Sequence, residues 1–118
     1  MNGAEQIAAE RERQVSEEKW TPHHDDGHTR GELAMAAACY AAPEMVFIRR
    51  LAPNSYVFRD PWPFPNTARY RGFNDGDRRK SGNMVAPVPE GSERIRFLVK
   101  AGALIAAEID RLQRAQEG

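Results

Sequence analysis

Ser92-Glu93-Arg94-Ile95-Arg96-Phe97-Leu98-Val99-Lys100-Ala101-Gly102-Ala103-Leu104-Ile105-Ala106-Ala107-Glu108-Ile109-Asp110-Arg111-Leu112-Gln113-Arg114 is the stretch that decides the fold. Ser92 is a suitable N-cap, Glu93 suits the positive end of a helix dipole, and Arg111 and Arg114 suit the negative end. Ile95, Leu98, Val99, Gly102, Ile105, Ala106, Ile109 and Leu112 recur at helical spacing as one continuous apolar stripe. A helix over about residues 93–115 is therefore predicted, with this stripe turned to the core. Gly102 in its middle costs up to about 1 kcal/mol relative to Ala. Close backbone contact with a neighbouring alanine-rich helix is the expected compensation.

That neighbour is read upstream, over about residues 30–42. Thr29-Arg30-Gly31-Glu32 has the form of a capping box, in which Thr29 and Glu32 satisfy each other's backbone N–H groups. Leu33, Ala36, Ala37 and Tyr40 follow at helical spacing, and Pro43 ends the run. A first helix over about residues 4–18 is rich in Ala, Glu, Arg and Gln, all good helix formers. Its apolar stripe is thin (Ile7, Ala8, Val15), and Glu10, Gln14 and Glu17 share one face. Such a face is either solvated surface or a polar wall aimed into a pocket. The expected fold class is mainly α: a small bundle of about three helices in a single domain, residues 1–118, with a central insertion over about 43–91. Within the insertion, Met45-Val46-Phe47-Ile48 and Tyr56-Val57-Phe58 flank Pro53-Asn54-Ser55, which suits a β-hairpin. Pro61, Pro63 and Pro65 exclude regular helix or central strand, and residues 66–91 read as a long loop.

Composition narrows the function classes. Of 118 residues, 41% are hydrophobic and 29% charged, as in ordinary globular domains. No apolar run approaches the roughly 20 residues that cross a bilayer, and the acid-rich N-terminus does not read as a secretory signal. Cys39 is the single cysteine; it excludes an intramolecular disulfide and fits a small core residue in a reducing cytoplasm. Net charge is zero but uneven: residues 1–48 hold 4 Lys/Arg against 9 Asp/Glu, and residues 49–100 hold 11 against 5. The basic segment either neutralises the acidic front or faces an anion. With no net positive charge, a general nucleic-acid binder is not expected.

The chemistry concentrates in Trp20-Thr21-Pro22-His23-His24-Asp25-Asp26-Gly27-His28-Thr29-Arg30-Gly31-Glu32, which gathers all three histidines and two aspartates. Three readings fit. It can be a polar turn with Trp20 packed beneath it. It can be a ligand pocket beside the free N–H groups of the following helix, which favour phosphate. Or it can be a divalent metal site, in which His24 and His28 with Asp25 or Asp26 offer ligands suited to Mn, Fe, Ni or Zn. Pro22 and Gly27 suggest a loop rather than one helical face. In the insertion, Trp62, Phe64, Tyr70 and Phe73 alternate with Arg59, Arg69 and Arg71. That pattern suits a base-stacking, phosphate-holding surface, or a lid in which Trp62 and Phe64 cover the helix pair.

The segments Ala8–Gln14, Trp20–His28, Gly31–Ala41 and Leu98–Leu112, with Trp62-Pro63-Phe64, resemble a family of small proteins encoded by phages and prophages; they cover roughly half the chain. The resemblance implies a phage context, hence the cytoplasm of a bacterial host, and implies no reaction. The expected function is binding of a phosphorylated nucleotide-like small molecule, sequestered to counter host defence. Arg13, Trp20, His24, Asp25, His28, Trp62 and Arg69 are the expected pocket contributors: arginines pair phosphate, tryptophans stack a base, and aspartate accepts from ribose hydroxyls. The alternatives are a protein-binding inhibitor of a host defence system or a metal-dependent, MazG-like nucleotide pyrophosphohydrolase. The latter holds Mg²⁺ with acidic pairs at i, i+3, whereas Thr29 and Met35 flank Glu32 at that spacing, and Ile105 and Arg111 flank Glu108. An acid cage would need Glu10, Asp25, Asp26 and Glu108 to converge. A homo-oligomer is also expected, because the apolar stripe and loop exceed what two helices cover.

Overall fold

The computed structural model describes residues 1–42, 48–53, 55–59, 62–64 and 90–117, and the described chain is mainly helical. Helix α1 spans Gly3–Ser16, within the predicted 4–18 apart from its first residue. Asn2 and Glu5 close a capping box at its start, the Asn2 Oδ1 accepting from Glu5 N–H at 2.9 Å and Glu5 Oε1 accepting from Asn2 N–H at 3.0 Å. Lys19 then takes a left-handed backbone, φ 62°, an uncommon conformation for a side chain with a Cβ. The reversal lets Trp20 N–H donate to the Gln14 carbonyl at 2.9 Å.

The histidine stretch is helical, not a loop. Helix α2, Pro22–Asp26, opens on Thr21, whose hydroxyl accepts from His24 N–H, with Pro22 at the first helical position. Helix α3 spans Glu32–Ala41, shorter than the predicted 30–42. Its N-cap is Gly31 in the left-handed region, φ 79°, with no side-chain cap bond. The Thr29 capping box therefore does not form. Instead Glu32 Oε1 folds back to accept from Arg30 N–H at 2.6 Å. Helix α4 spans Gly91–Glu117, a turn longer in all than the predicted 93–115.

The core lies between α3 and α4. Leu33, Ala36, Ala37 and Tyr40 pack against Phe97, Ala101, Leu104 and Ala107. The expected stripe of α4 is turned away from this contact: Ile95, Leu98, Ile105, Ile109 and Leu112 are 44–52% exposed. Alanine takes its place: Ala36 and Ala37 belong to one buried cluster with Ala101, Leu104 and Ala107 of α4, while Ile95, Leu98, Ile105, Ile109 and Leu112 stay outside it. Arg94 ties the pair together, donating to the carbonyls of Ala41 at 2.6 Å and Ala42 at 3.2 Å at the end of α3. These carbonyls are otherwise orphans of the helix C-terminus.

A hairpin is present, but its described first strand lies later than the predicted 45–48, and Ser55 starts the second strand instead of closing the turn. Strands β1, Ile48–Ala52, and β2, Ser55–Arg59, pair antiparallel from Ile48 opposite Arg59 to Ala52 opposite Ser55. Met45, Val46 and Phe47, expected in the first strand, lie outside the described residues, as do Arg69, Tyr70, Arg71 and Phe73. Among the described residues, no helix is long and apolar enough to cross a membrane.

Candidate functional site

Six aromatic rings run in sequence around one cavity, one pair stacked and the others edge to face. Trp20 stacks flat on His24 (centroids 5.9 Å, interplanar 4°). His24 meets His28 at 4.8 Å, and His28 meets Phe64 at 5.2 Å. Phe64 leads to Trp62 at 5.7 Å, and Trp62 to Tyr40 at 5.6 Å. Leu33, Ala36 and Leu104 of the α3–α4 core form the floor, and the partly open cavity is about 150 Å³. A space of that size holds one small ring system and is below the roughly 300 Å³ at which whole-ligand pockets begin. Among the described residues of its wall, His24 and His28 supply the imidazoles and Tyr40 a phenol.

Each histidine is held from behind. His24 Nδ1 lies 3.2 Å from Asp25 Oδ1, and His28 Nδ1 lies 3.2 Å from Glu32 Oε2. The two Nε2 atoms face each other at 3.5 Å. Asp25 is fully buried, and its second oxygen accepts from Arg11 Nη2 at 2.7 Å. Arg11 in turn donates to the Trp20 carbonyl. Glu32 would be raised by its burial, but the hydrogen bonds from His28 and the backbone N–H of Arg30 outweigh this and hold it below the ordinary glutamate value. One chain of contacts, Arg11–Asp25–His24–His28–Glu32, thus backs the histidine side of the cavity, with His24 and His28 on the wall itself.

Behind Trp20, Tyr40 and Leu104 lies a smaller recess of about 70 Å³, bounded also by Arg13, Gln14 and Lys100. On the α1 face read from the sequence, Glu10 and Gln14 are buried, at 3% and 2% exposure, while Glu17 stays in solvent. Glu10 accepts from Arg13 at 2.7 and 2.9 Å and from Arg96 at 2.7 Å. Arg13 also pairs with Glu18 and Glu17. Burial would raise Glu10, yet the two guanidiniums leave it below the ordinary carboxylate range. Lys100 is half-buried, 5.6 Å from the Tyr40 ring centroid, and burial pushes its ammonium below the usual lysine value.

The sequence expectations divide accordingly. Trp20, His24, His28 and Trp62 line the cavity, and Asp25 stands directly behind it. Arg13 borders the recess and is spent on three glutamates, and Arg69 lies outside the described residues. Asp25 and Asp26 do not complete a metal site: Asp25 serves Arg11 and His24, and Asp26 accepts from Arg114 at 2.7 Å. The proposed acid cage does not assemble either, because Glu10, Asp25, Asp26 and Glu108 each carry an arginine of their own. Tyr40 is in the core and Trp62 and Phe64 pack against it, as read, and Tyr40 and Phe64 also line the cavity; Glu32 was read as a cap alone. Its i, i+4 spacing from His28 was the available signal. Comparison of the chain with protein-family models, with curated proteins and with solved structures gives no match.

Proposed function

We propose that this protein binds a nucleotide-like small molecule without turning it over, holding the base in the aromatic cavity and leaving the sugar and phosphates at its mouth. The observation that carries the reading is the ring-lined cavity of about 150 Å³. Its volume suits one planar heterocycle. Its rings supply π-faces on which any base stacks, worth about 1–3 kcal/mol per contact. His24 and His28 give the polar groups that orient such a ring by its edge. Sequestration against a host defence, in a phage setting, is the biological role that accords with the resemblance of the sequence segments. Binding rather than hydrolysis accords with Glu10, Asp25, Asp26 and Glu108 each being paired with an arginine.

The test is incubation of the purified chain with a panel of nucleotides and dinucleotides, with and without Mg²⁺ or Mn²⁺. Free compound is measured by chromatography before and after heat denaturation. One compound is expected to disappear from the free pool and return intact on heating. Trp20→Ala is expected to weaken that capture roughly 10-fold or more, the cost of one lost stack. New products that appear only with metal would replace binding with catalysis, and a panel that passes untouched would remove the nucleotide reading.

A further inference from the structure

We propose that His24 and His28 form a two-histidine site for a borderline divalent metal, zinc foremost, with the Nε2 atoms as ligands and Asp25 and Glu32 as the carboxylates that orient them. His24 lies in α2 and His28 just beyond its C-cap Gly27, and the chain's turn there brings the two ring centroids within 4.8 Å of each other. Their Nε2 atoms are 3.5 Å apart. Two nitrogens bound at about 2.0–2.1 Å to a tetrahedral metal stand roughly 3.3–3.4 Å from each other. A rotamer adjustment of a tenth or two of an ångström is all that separates the two arrangements.

The backing carboxylates make the pair more than a coincidence of spacing. With each Nδ1 at 3.2 Å from a carboxylate oxygen, the tautomer that satisfies both acids carries its proton on Nδ1. Both Nε2 lone pairs are then left facing each other. Such lone pairs repel, and a cation between them converts the repulsion into two bonds. A metal-bound histidine regularly hands its other N–H to a carboxylate in this way. A proton shared by the rings would draw the nitrogens to hydrogen-bonding distance, about 2.7–3.2 Å, closer than they are. Imidazole nitrogens favour Zn, Cu and Ni over Mg and Ca.

Among the described residues, no group of three His, Cys, Asp or Glu gathers to hold a metal. The remaining coordination positions therefore go to water or to a donor atom of whatever enters the cavity, with one protein ligand fewer than the three of an open catalytic zinc site. His24, with 38% of its side chain exposed, is within reach of solvent metal. The proposal shares its wall with the nucleotide pocket but does not depend on a nucleotide.

The test is calorimetric titration of the untagged, full-length chain with Zn²⁺ alone. One zinc per chain is expected, abolished in His24→Ala and His28→Ala. Glu32→Ala is expected to weaken binding roughly 10–100-fold through loss of the His28 support, while His23→Ala, on the exposed side of α2, leaves it unchanged. If the alanine variants fail to fold, the visible spectrum of the cobalt-substituted natural chain decides between tetrahedral nitrogen ligation and the free aquo ion. No zinc bound, zinc retained by folded His28→Ala, an aquo-type cobalt spectrum, or magnesium bound as tightly as zinc would each overturn the site. Nucleotide capture by chelator-treated protein is read separately, so either proposal can fail alone.

Discussion

Glu10 is a carboxylate that the fold has taken out of water, with its side chain 2% exposed between guanidiniums that are 29% and 47% exposed. Neither arginine is deeply buried, so solvent screens the attraction and the value of the cluster lies in its three short hydrogen bonds to a charged acceptor. Replacing Glu10 by Gln is expected to lower stability by about 1.5–3 kcal/mol at neutral pH, the range for hydrogen bonds to charged groups. The pH dependence follows from the direction of the shift. Glu10 lies below its ordinary value of 4.5 in the folded chain, so its contribution is complete above that pH and is lost as pH falls through the folded value. The gap between the natural chain and Glu10→Gln in urea melts should therefore close on acidification, with unchanged slopes at pH 7. A gap that persists unchanged at pH 2 would mean that shape, not charge, is what Glu10 supplies.

At the scale of elements, Gly102 decides how α1 crosses α4. A Cβ built there would stand 2.5 Å from Ile7 Cδ1 and 2.8 Å from Ile7 Cγ1. The close approach foreseen at Gly102 exists, but its partner is a side chain of α1 rather than the alanine face of α3. Alanine at 102 gains up to about 1 kcal/mol of helix propensity and loses about 1–3 kcal/mol to overpacking. Gly102→Ala is expected to destabilise by about 1 kcal/mol. In an Ile7→Ala background the same change is expected to stabilise, a reversal that a double-mutant cycle reads directly. Elements of this kind were legible in the sequence where caps and periodicity were long enough to register. All of α4 was, but not which of its faces is buried, because hydropathy ranks Ile105 and Ile109 above the alanines that make the tighter contact. Helix α2 is five residues, too short for periodicity, although Thr21 and Pro22 announced it. At the site, the clustering of His24, Asp25 and His28 was visible, whereas their division into ligand atoms and supporting carboxylates depends on side-chain directions that spacing alone does not give.

For the whole molecule, the outward face of α4 is the largest departure from a self-contained bundle. Residues 95, 98, 102, 105, 109 and 112 alternate steps of three and four, the spacing of a seam that packs against a second helix. Ile7 occupies that seam at Gly102, so α1 interrupts it. What remains continuous is Ile105, Ile109 and Leu112, 47–50% exposed and with no charged residue among them. A second copy of the chain offers the same uncharged strip, and a two-fold pairing buries both at once. We therefore expect a homodimer joined through the C-terminal half of α4, sedimenting at about twice the 13.3 kDa of one chain. Ile109→Glu places a carboxylate at the centre of the strip on both partners, where like charges oppose each other without solvent, and is expected to give the single-chain mass with unchanged helical circular dichroism. Ile95→Glu, on the other side of the α1 crossing, should leave the dimer intact. If the natural chain sediments as one copy at concentrations of tens of micromolar, on the order at which weak dimers associate, the strip is not a self-interface. A dimer that survives Ile109→Glu would place the contact elsewhere on the molecule.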